Sequence, residues 1–168
     1  GLGKLTIDAR AWQTWDDALF GEMNSVYKEL GFDTASSYGW GRRSHDDFPA
    51  LEYAEWFERC KGEASRITKG MAVPYNPVVP MGWDSSPRTV QSDIYDKTDY
   101  PFGTVITKNT PELFEKALHH VGEFMASDEA TGTMIHLPCW NEWTEGAYLE
   151  PDTKYGYGYL EAIKKVFG

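Results

Sequence analysis

Cysteine is scarce in this chain: Cys60 and Cys139 are the only two in 168 residues. Neither belongs to a CxxC pair, so structural zinc and dithiol redox chemistry lack their usual ligands. Two buried free thiols are expected, with a disulfide between them as the alternative. Cations are also short, 16 Lys and Arg against 26 Asp and Glu, for a formal net charge of -10. Such a surface repels phosphates, so nucleic acid is not an expected partner. No run of about 18 apolar residues occurs, and no membrane span is expected. The opening "GLGKLTIDAR" lacks a signal-peptide pattern, which leaves the compartment open. P-loop, GxGxxG, HExxH and GxSxG patterns are all missing, so nucleotide, zinc-protease and serine-hydrolase readings lack their basic parts. No metal and no cofactor is expected. No low-complexity linker divides residues 1–168, whose length suits one domain with a sizeable core.

Aromatic side chains, by contrast, are abundant, with seven Trp and ten Tyr. Most are expected to fill a core. Those beside polar clusters at strand ends are candidate stacking surfaces.

Hydrophobic periodicity orders the chain as strand and helix by turns. "GKLTIDARAW" alternates at Leu5, Ile7 and Ala9, a strand. "DDALFGEMNSVYKELG" reads as a helix, with Asp16 and Asp17 at its start, Lys28 in its last turn and Gly31 as its stop. "FDTASSYGW" is a second strand. "ALEYAEWFERCKGEASRITKG" reads as one helix ending at Gly70. "NPVVPMGWDSSPR" is a third strand whose prolines limit its pairing. Residues 89–109 are irregular, a length that is usually functional, with a short strand at "GTVIT". "TPELFEKALHHVGEFMAS" is the clearest helix, with Thr110 as N-cap and Pro111 at its first position. "TGTMIHLPCW" is a fourth strand and "GYGYLEAIKKVFG" a closing helix. Four β-α units in series predict an α/β fold with a parallel sheet and right-handed crossovers. At roughly forty residues a unit, this is the length of half a (β/α)8 barrel or of a small doubly wound sheet.

In such folds chemistry gathers at the C-terminal ends of the strands. Those ends read Ala9–Trp12, Ser36–Trp40, Trp83–Arg88 and Trp140–Glu145. They bring tryptophans together with Tyr38, Asp84, Arg88, Asn141, Glu142 and Glu145. Aromatic faces stack on sugar rings, and carboxylate, amide and guanidinium groups bond sugar hydroxyls. An oligosaccharide or polysaccharide is therefore the expected partner. Trp40, Trp83, Trp140 and Trp143 are the candidate stacking residues.

Within "WNEWTEG", Glu142 and Glu145 stand three apart. On a continuous strand they would face opposite sides. Both reach one site only if the strand breaks just after Glu142, and Gly146 suits such a bend. Glycosidic cleavage needs one protonated and one ionised carboxyl group. Trp140 and Trp143 are expected to form a low-dielectric wall that raises the pKa of one of them. Among the bland alternatives, one glutamate pairs with an arginine while the other is solvated, and Asp84 with Arg88 is a local ion pair. His136 reads as a satisfied core histidine. His119 and His120 sit on a helix surface, and "RRSHDD" at 42–47 is a solvated loop.

"WNEWTEGAYLEPDTKYGYGYLEAIKK" and "VVPMGWDSSPR" resemble the WbsX-type proteins of bacterial polysaccharide gene clusters, and "KELGFDTASSYGW" resembles the unit before them. These proteins are similar to glycoside hydrolase family 99, the endo-α-mannosidases and endo-α-mannanases. The resemblance implies the C-terminal half of a (β/α)8 barrel, completed by a missing N-terminal half or by self-association. It implies Glu142 and Glu145 as the catalytic pair, Glu142 as base on the sugar's own 2-hydroxyl and Glu145 as acid and then base. It also implies that Tyr38, Trp83, Asp84 and Arg88 line the sugar subsites. Thr144 stands where the hydrolases usually have histidine, a departure that points to the WbsX-type branch, whose name implies glycosyl transfer. Three activities follow as expectations: a retaining endo-acting hydrolase of an α-linked mannose-like polymer, a glycosyltransferase of surface-polysaccharide synthesis, and a non-catalytic carbohydrate-binding half barrel.

Overall fold

The computed structural model describes residues 5–11, 17–41, 47–90 and 92–168, with side chains of the first helix from Phe20 onward. Trp12, Asp16 and most of the polar loop at 42–47 lie outside the described residues.

Alternation makes the first strand. β1, Asp8–Ala11, buries Ala9 and Ala11 and turns Asp8 and Arg10 to the other face. α1, Asp17–Glu29, carries Lys28 in its last turn and stops at Gly31, which adopts φ 76°. β2, Thr34–Ser37, runs parallel to β1. β3, Ala50–Glu52, leads into α2, Tyr53–Cys60, and α3, Glu63–Gly70. β4, Tyr75–Asn76, pairs parallel with β2. β5, Val105–Thr107, pairs parallel with β3. α4 spans Pro111–Met125, with Thr110 as N-cap accepting from the Leu113 amide. β6, Asn141–Glu142, and β7, Ala147–Tyr148, form a short antiparallel ladder before α5, Gly158–Phe167.

The result is a mixed α/β fold. Its central sheet has the order β1-β2-β4, and a parallel bridge between Val78 and His136 carries that order one segment further. Each of the four parallel segments is followed by a helix. The described residues do not form a closed barrel. No described helix is long and apolar enough to cross a membrane.

Two expected elements come out differently. The helix read over 50–70 is a strand and two short helices, because the chain turns at Lys61 and Gly62. The fourth strand, "TGTMIHLPCW", shrinks to the bridge at His136. Its amides are taken up otherwise: the Asn76 side-chain oxygen accepts from both Thr133 N and Met134 N. Pro74, Pro77 and Pro80 on the facing segment have no N–H to offer a ladder.

The main core packs Trp40, Tyr53, Trp56, Val79, Met81, Phe114, Leu118 and Tyr159 between α2, α4 and α5. A smaller cluster of Ala9, Ala11, Tyr27, Ala35 and Val73 seats α1 on one face of the sheet. The opposite face is polar. Asp8 accepts from Thr34 Oγ1 at 2.6 Å, Ser36 Oγ at 2.5 Å and Asn76 Nδ2 at 3.2 Å, joining three strands through one carboxylate. His136 completes the row, its Nε2 3.9 Å from Asp8 Oδ2. Burial lowers the His136 pKa, with nearby Arg10 adding to the effect and Asp8 opposing it.

Burial works to raise the Asp8 pKa, but the Ser36, Thr34 and Asn76 bonds and the nearness of His136 outweigh it, leaving the group below its ordinary 3.8. A carboxyl whose folded pKa is depressed stabilises the fold above its unfolded pKa and loses that contribution as pH falls through the folded value. Asp8→Asn should therefore cost on the order of 2 kcal/mol at neutral pH. The gap to the unmodified chain should begin to narrow below about pH 4 and close only once the pH is under the folded pKa of Asp8. Denaturant titrations at the two pH values check this, and a gap that stays constant would refute it.

Candidate functional site

The site grows from a break in the chain. β6 ends at Glu142, and Trp143–Glu145 form a single 3₁₀ turn that closes on Gly146 in the left-handed region at φ 58°. A Cβ on Gly146 would stand 2.9 Å from the Cβ and 3.0 Å from the backbone nitrogen of Asp84, so both conformation and space require glycine. A second 3₁₀ turn, Ser86–Arg88, lies alongside. The Asp84 amide ties the two together by donating to the Glu145 carbonyl at 2.7 Å.

This bend turns both glutamates to one guanidinium. Arg88 Nη2 lies 2.8 Å from Glu142 Oε1, and Arg88 Nε lies 3.6 Å from Glu145 Oε1. The strand breaks after Glu142, as the sequence suggested, and both acidic side chains reach the same guanidinium. Thr144 Oγ1 also donates to Glu142 Oε1 at 2.8 Å. The Glu142 side chain is 38% exposed and that of Glu145 12%. Two phenols hold Glu145: Tyr38 donates to Oε2 at 2.9 Å and Tyr100 to Oε1 at 2.8 Å. Burial raises the Tyr38 pKa, and its hydrogen bonds to Cys139 and Glu145 raise it further. Tyr100 is raised by burial and by its bond to Glu145, with Arg88 opposing. Burial acts to lower Arg88, but Tyr100, Glu145 and Glu142 together hold its pKa above the ordinary value.

The remaining candidates divide. Trp83 sits edge-on to Tyr38, ring centroids 6.3 Å apart, and 6.5 Å from Tyr100, so it belongs to this cluster. Asp84 is a turn residue whose Oδ1 accepts from Ser86 N at 2.9 Å. Arg88 pairs with Glu142 rather than with Asp84. Asn141 is exposed on β6. Trp40 is a correction. It is 6% exposed, covered by Tyr53, Trp56 and Phe57, and spends its indole N–H on the Val78 carbonyl at 2.9 Å. It is a core residue rather than an exposed stacking face.

The tryptophan wall expected round the glutamates is not there either. Trp143 lies flat on Tyr148, centroids 3.8 Å apart, and its indole N–H bonds Glu150 at 2.8 Å, which gives that glutamate a place. Trp140 is half exposed, its carbonyl accepting from Leu149 N and Glu150 N. The walls come instead from Tyr38, Trp83 and Tyr100. Tyr100 was not singled out by the sequence; its only signal was its place in the irregular stretch 89–109. Arg10, which reaches the Ser37 carbonyl at 2.8 Å and lies 5.8 Å from the Tyr38 ring centroid, was missed as well.

Because the bend depends on Gly146, Gly146→Ala should lower stability by roughly 1–2 kcal/mol from the left-handed backbone alone, with the Asp84 contact adding to it. Chemical denaturation measures this. An unchanged midpoint would mean that the turn tolerates a side chain.

With this geometry in hand, comparison with known proteins is informative. The chain is 25% identical over 179 residues to the uncharacterized protein WxcX in each of two strains of Xanthomonas campestris pv. campestris. The alignment takes in 94% of this chain and 24% of the relative, so the chain spans about a quarter of the length of the curated relatives it matches. No solved structure matches. Residues 14–163 match the family model described as Glycosyltransferase WbsX, and the chain belongs to that family.

Proposed function

We propose that this chain is the catalytic half of a carbohydrate-active (β/α)8 barrel that cleaves an α-linked, mannose-like polysaccharide with retention of configuration. The single observation that carries the reading is the meeting of Glu142 and Glu145 on Arg88 at a break in the chain. The parallel order β1-β2-β4 with the His136 segment supports four consecutive barrel units over 1–168. The rest of the barrel would come from further polypeptide or from a second copy.

In this scheme Glu142 takes the proton of the sugar 2-hydroxyl, whose oxygen attacks C1. The bond from C1 to the leaving oxygen breaks as Glu145 gives that oxygen its proton, leaving a 1,2-anhydro sugar. Glu145, now a carboxylate, draws a proton from water as the water oxygen attacks C1. The three-membered ring opens, and the 2-oxygen recovers its proton from Glu142. Arg88 and Thr144 both donate to Glu142 Oε1, which leaves Oε2 to face the sugar 2-hydroxyl. Arg88 keeps the two carboxyl groups together through both steps. Tyr38 and Trp83 shape the inner wall, while Asp84, Asn141, Trp140 and Trp143 border the opening. Neither step calls for a metal or a cofactor.

Glu142→Gln and Glu145→Gln should each reduce cleavage of α-linked mannan by at least about a thousandfold while leaving thermal unfolding within a degree or two of the parent. Unchanged turnover in either variant would reject the pairing. A second reading, glycosyl transfer in surface-polysaccharide synthesis, is favoured by the family description. Calorimetric binding of a nucleotide sugar, with transfer to an acceptor glycan and no hydrolysis, would select it. Sugar binding with neither reaction would leave a carbohydrate-binding half barrel.

A further inference from the structure

The two phenols on Glu145 are not equivalent. Tyr38 follows directly on β2, is half-buried edge-on to Trp83, and has its hydroxyl 3.2 Å from Cys139 Sγ as well as on Glu145. Tyr100 comes from the other side, on an arch of chain. Residues 92–100 are exposed except for Tyr95, and Ile94 is 86% exposed. Tyr95 stacks on Phe48 at 5.4 Å and donates to the Gly103 carbonyl at 2.6 Å, and Ser85 Oγ donates to the Pro101 carbonyl at 2.6 Å. The foot of the arch is therefore pinned, while Tyr100, 56% exposed, makes one hydrogen bond to the site, its ring 6.5 Å from that of Trp83 and 5.9 Å from the Arg88 guanidinium carbon.

With both phenols in place, each oxygen of Glu145 is already an acceptor. Oε1 also faces Arg88 Nε at 3.6 Å, so both of its lone-pair directions are taken and no side of it is open to an incoming oxygen. One bond has to break, and the cheaper is the exposed one, because water or substrate replaces it as it opens. We propose that Tyr100 is a displaceable stopper: its phenol occupies, at Glu145 Oε1, the place of the substrate's glycosidic oxygen. Arrival of the sugar lifts Tyr100 from the carboxylate while Tyr38 stays. The proposal rests on the reading of Glu145 as the acid. The phenol proton stays on Tyr100 throughout; once Tyr100 has left, Glu145 takes its acid proton from water at Oε1, and that proton then faces the glycosidic oxygen. A protein that must release an internal contact before binding has its affinity reduced by the fraction of time the contact is open.

The test separates this proposal from the parent reading. Binding of an α-linked mannan oligosaccharide is measured by calorimetry in the Glu142→Gln background, where no turnover is expected. Adding Tyr100→Phe should tighten binding by about three- to tenfold, the value of one exposed charge-assisted bond. Adding Tyr38→Phe should not tighten it. Equal or weaker binding with Tyr100→Phe overturns the stopper, even if the glutamate variants behave as expected. A second arm needs no sugar. With 3-fluorotyrosine at position 100, the fluorine spectrum should show exchange between bonded and released rings, and Glu145→Gln should shift that balance toward release. A single line indifferent to Glu145→Gln overturns the proposal, whether or not mannan proves to be the substrate.

Discussion

Two carboxylates held within reach of one another repel unless a cation stands between them, and here that cation is Arg88. Its place is set by backbone rather than by chance. It ends the turn Ser86–Arg88, which is bound to the glutamate turn through the Asp84 amide and to β5 through the bond from Ile106 N to the Trp83 carbonyl at 2.7 Å. Glu142, Glu145 and Arg88 thus form one unit built from two adjacent turns. The left-handed glycine at 146 lets those turns lie against each other without a side chain in between.

The aromatic residues sort by whether their polar edge finds a partner inside or outside. Trp40 gives its N–H to a backbone carbonyl and is sealed in the core. Trp143 gives its N–H to Glu150 and lies on Tyr148, bracing the β6–β7 hairpin from its exposed side. Among the described aromatic residues, only Tyr38 and Tyr100 place a hydroxyl on an acidic oxygen of the site. The family match over residues 14–163 takes in the whole site, including the stretch 140–146. The aromatic residues most visible in it brace the hairpin, and less prominent tyrosines from elsewhere reach the carboxylates.

Much of this could be read from the residues. Thr110 before Pro111 marked its helix because a cap and a missing N–H are local facts. The bend after Glu142 was legible because glycine follows a pair of acids that a straight strand would separate. Trp40 was misplaced because a tryptophan at a strand end looks alike whether its ring meets solvent or a neighbouring helix; Trp56 and Phe57, which cover it, lie sixteen and seventeen positions away. The fourth strand was overread because its apolar spacing is strand-like, whereas the partner that consumes its amides is a side chain, Asn76, more than fifty residues earlier. Tyr100 was invisible for a related reason. An irregular loop has no period, so nothing in its sequence states which residue turns inward.

The polar face of the central sheet has a consequence for assembly. Asp8, Ser36, Asn76 and His136 line up across the parallel segments, and the buried His136 Nε2 has no hydrogen-bond partner among the described residues. A layer laid over this row cannot be a greasy one, since stripping water from such groups without replacing it is costly. Any polypeptide that closes over it must bring donors and acceptors in matching positions. A covering layer without them would leave these groups dehydrated and unpaired, a cost that disfavours it against one that fits.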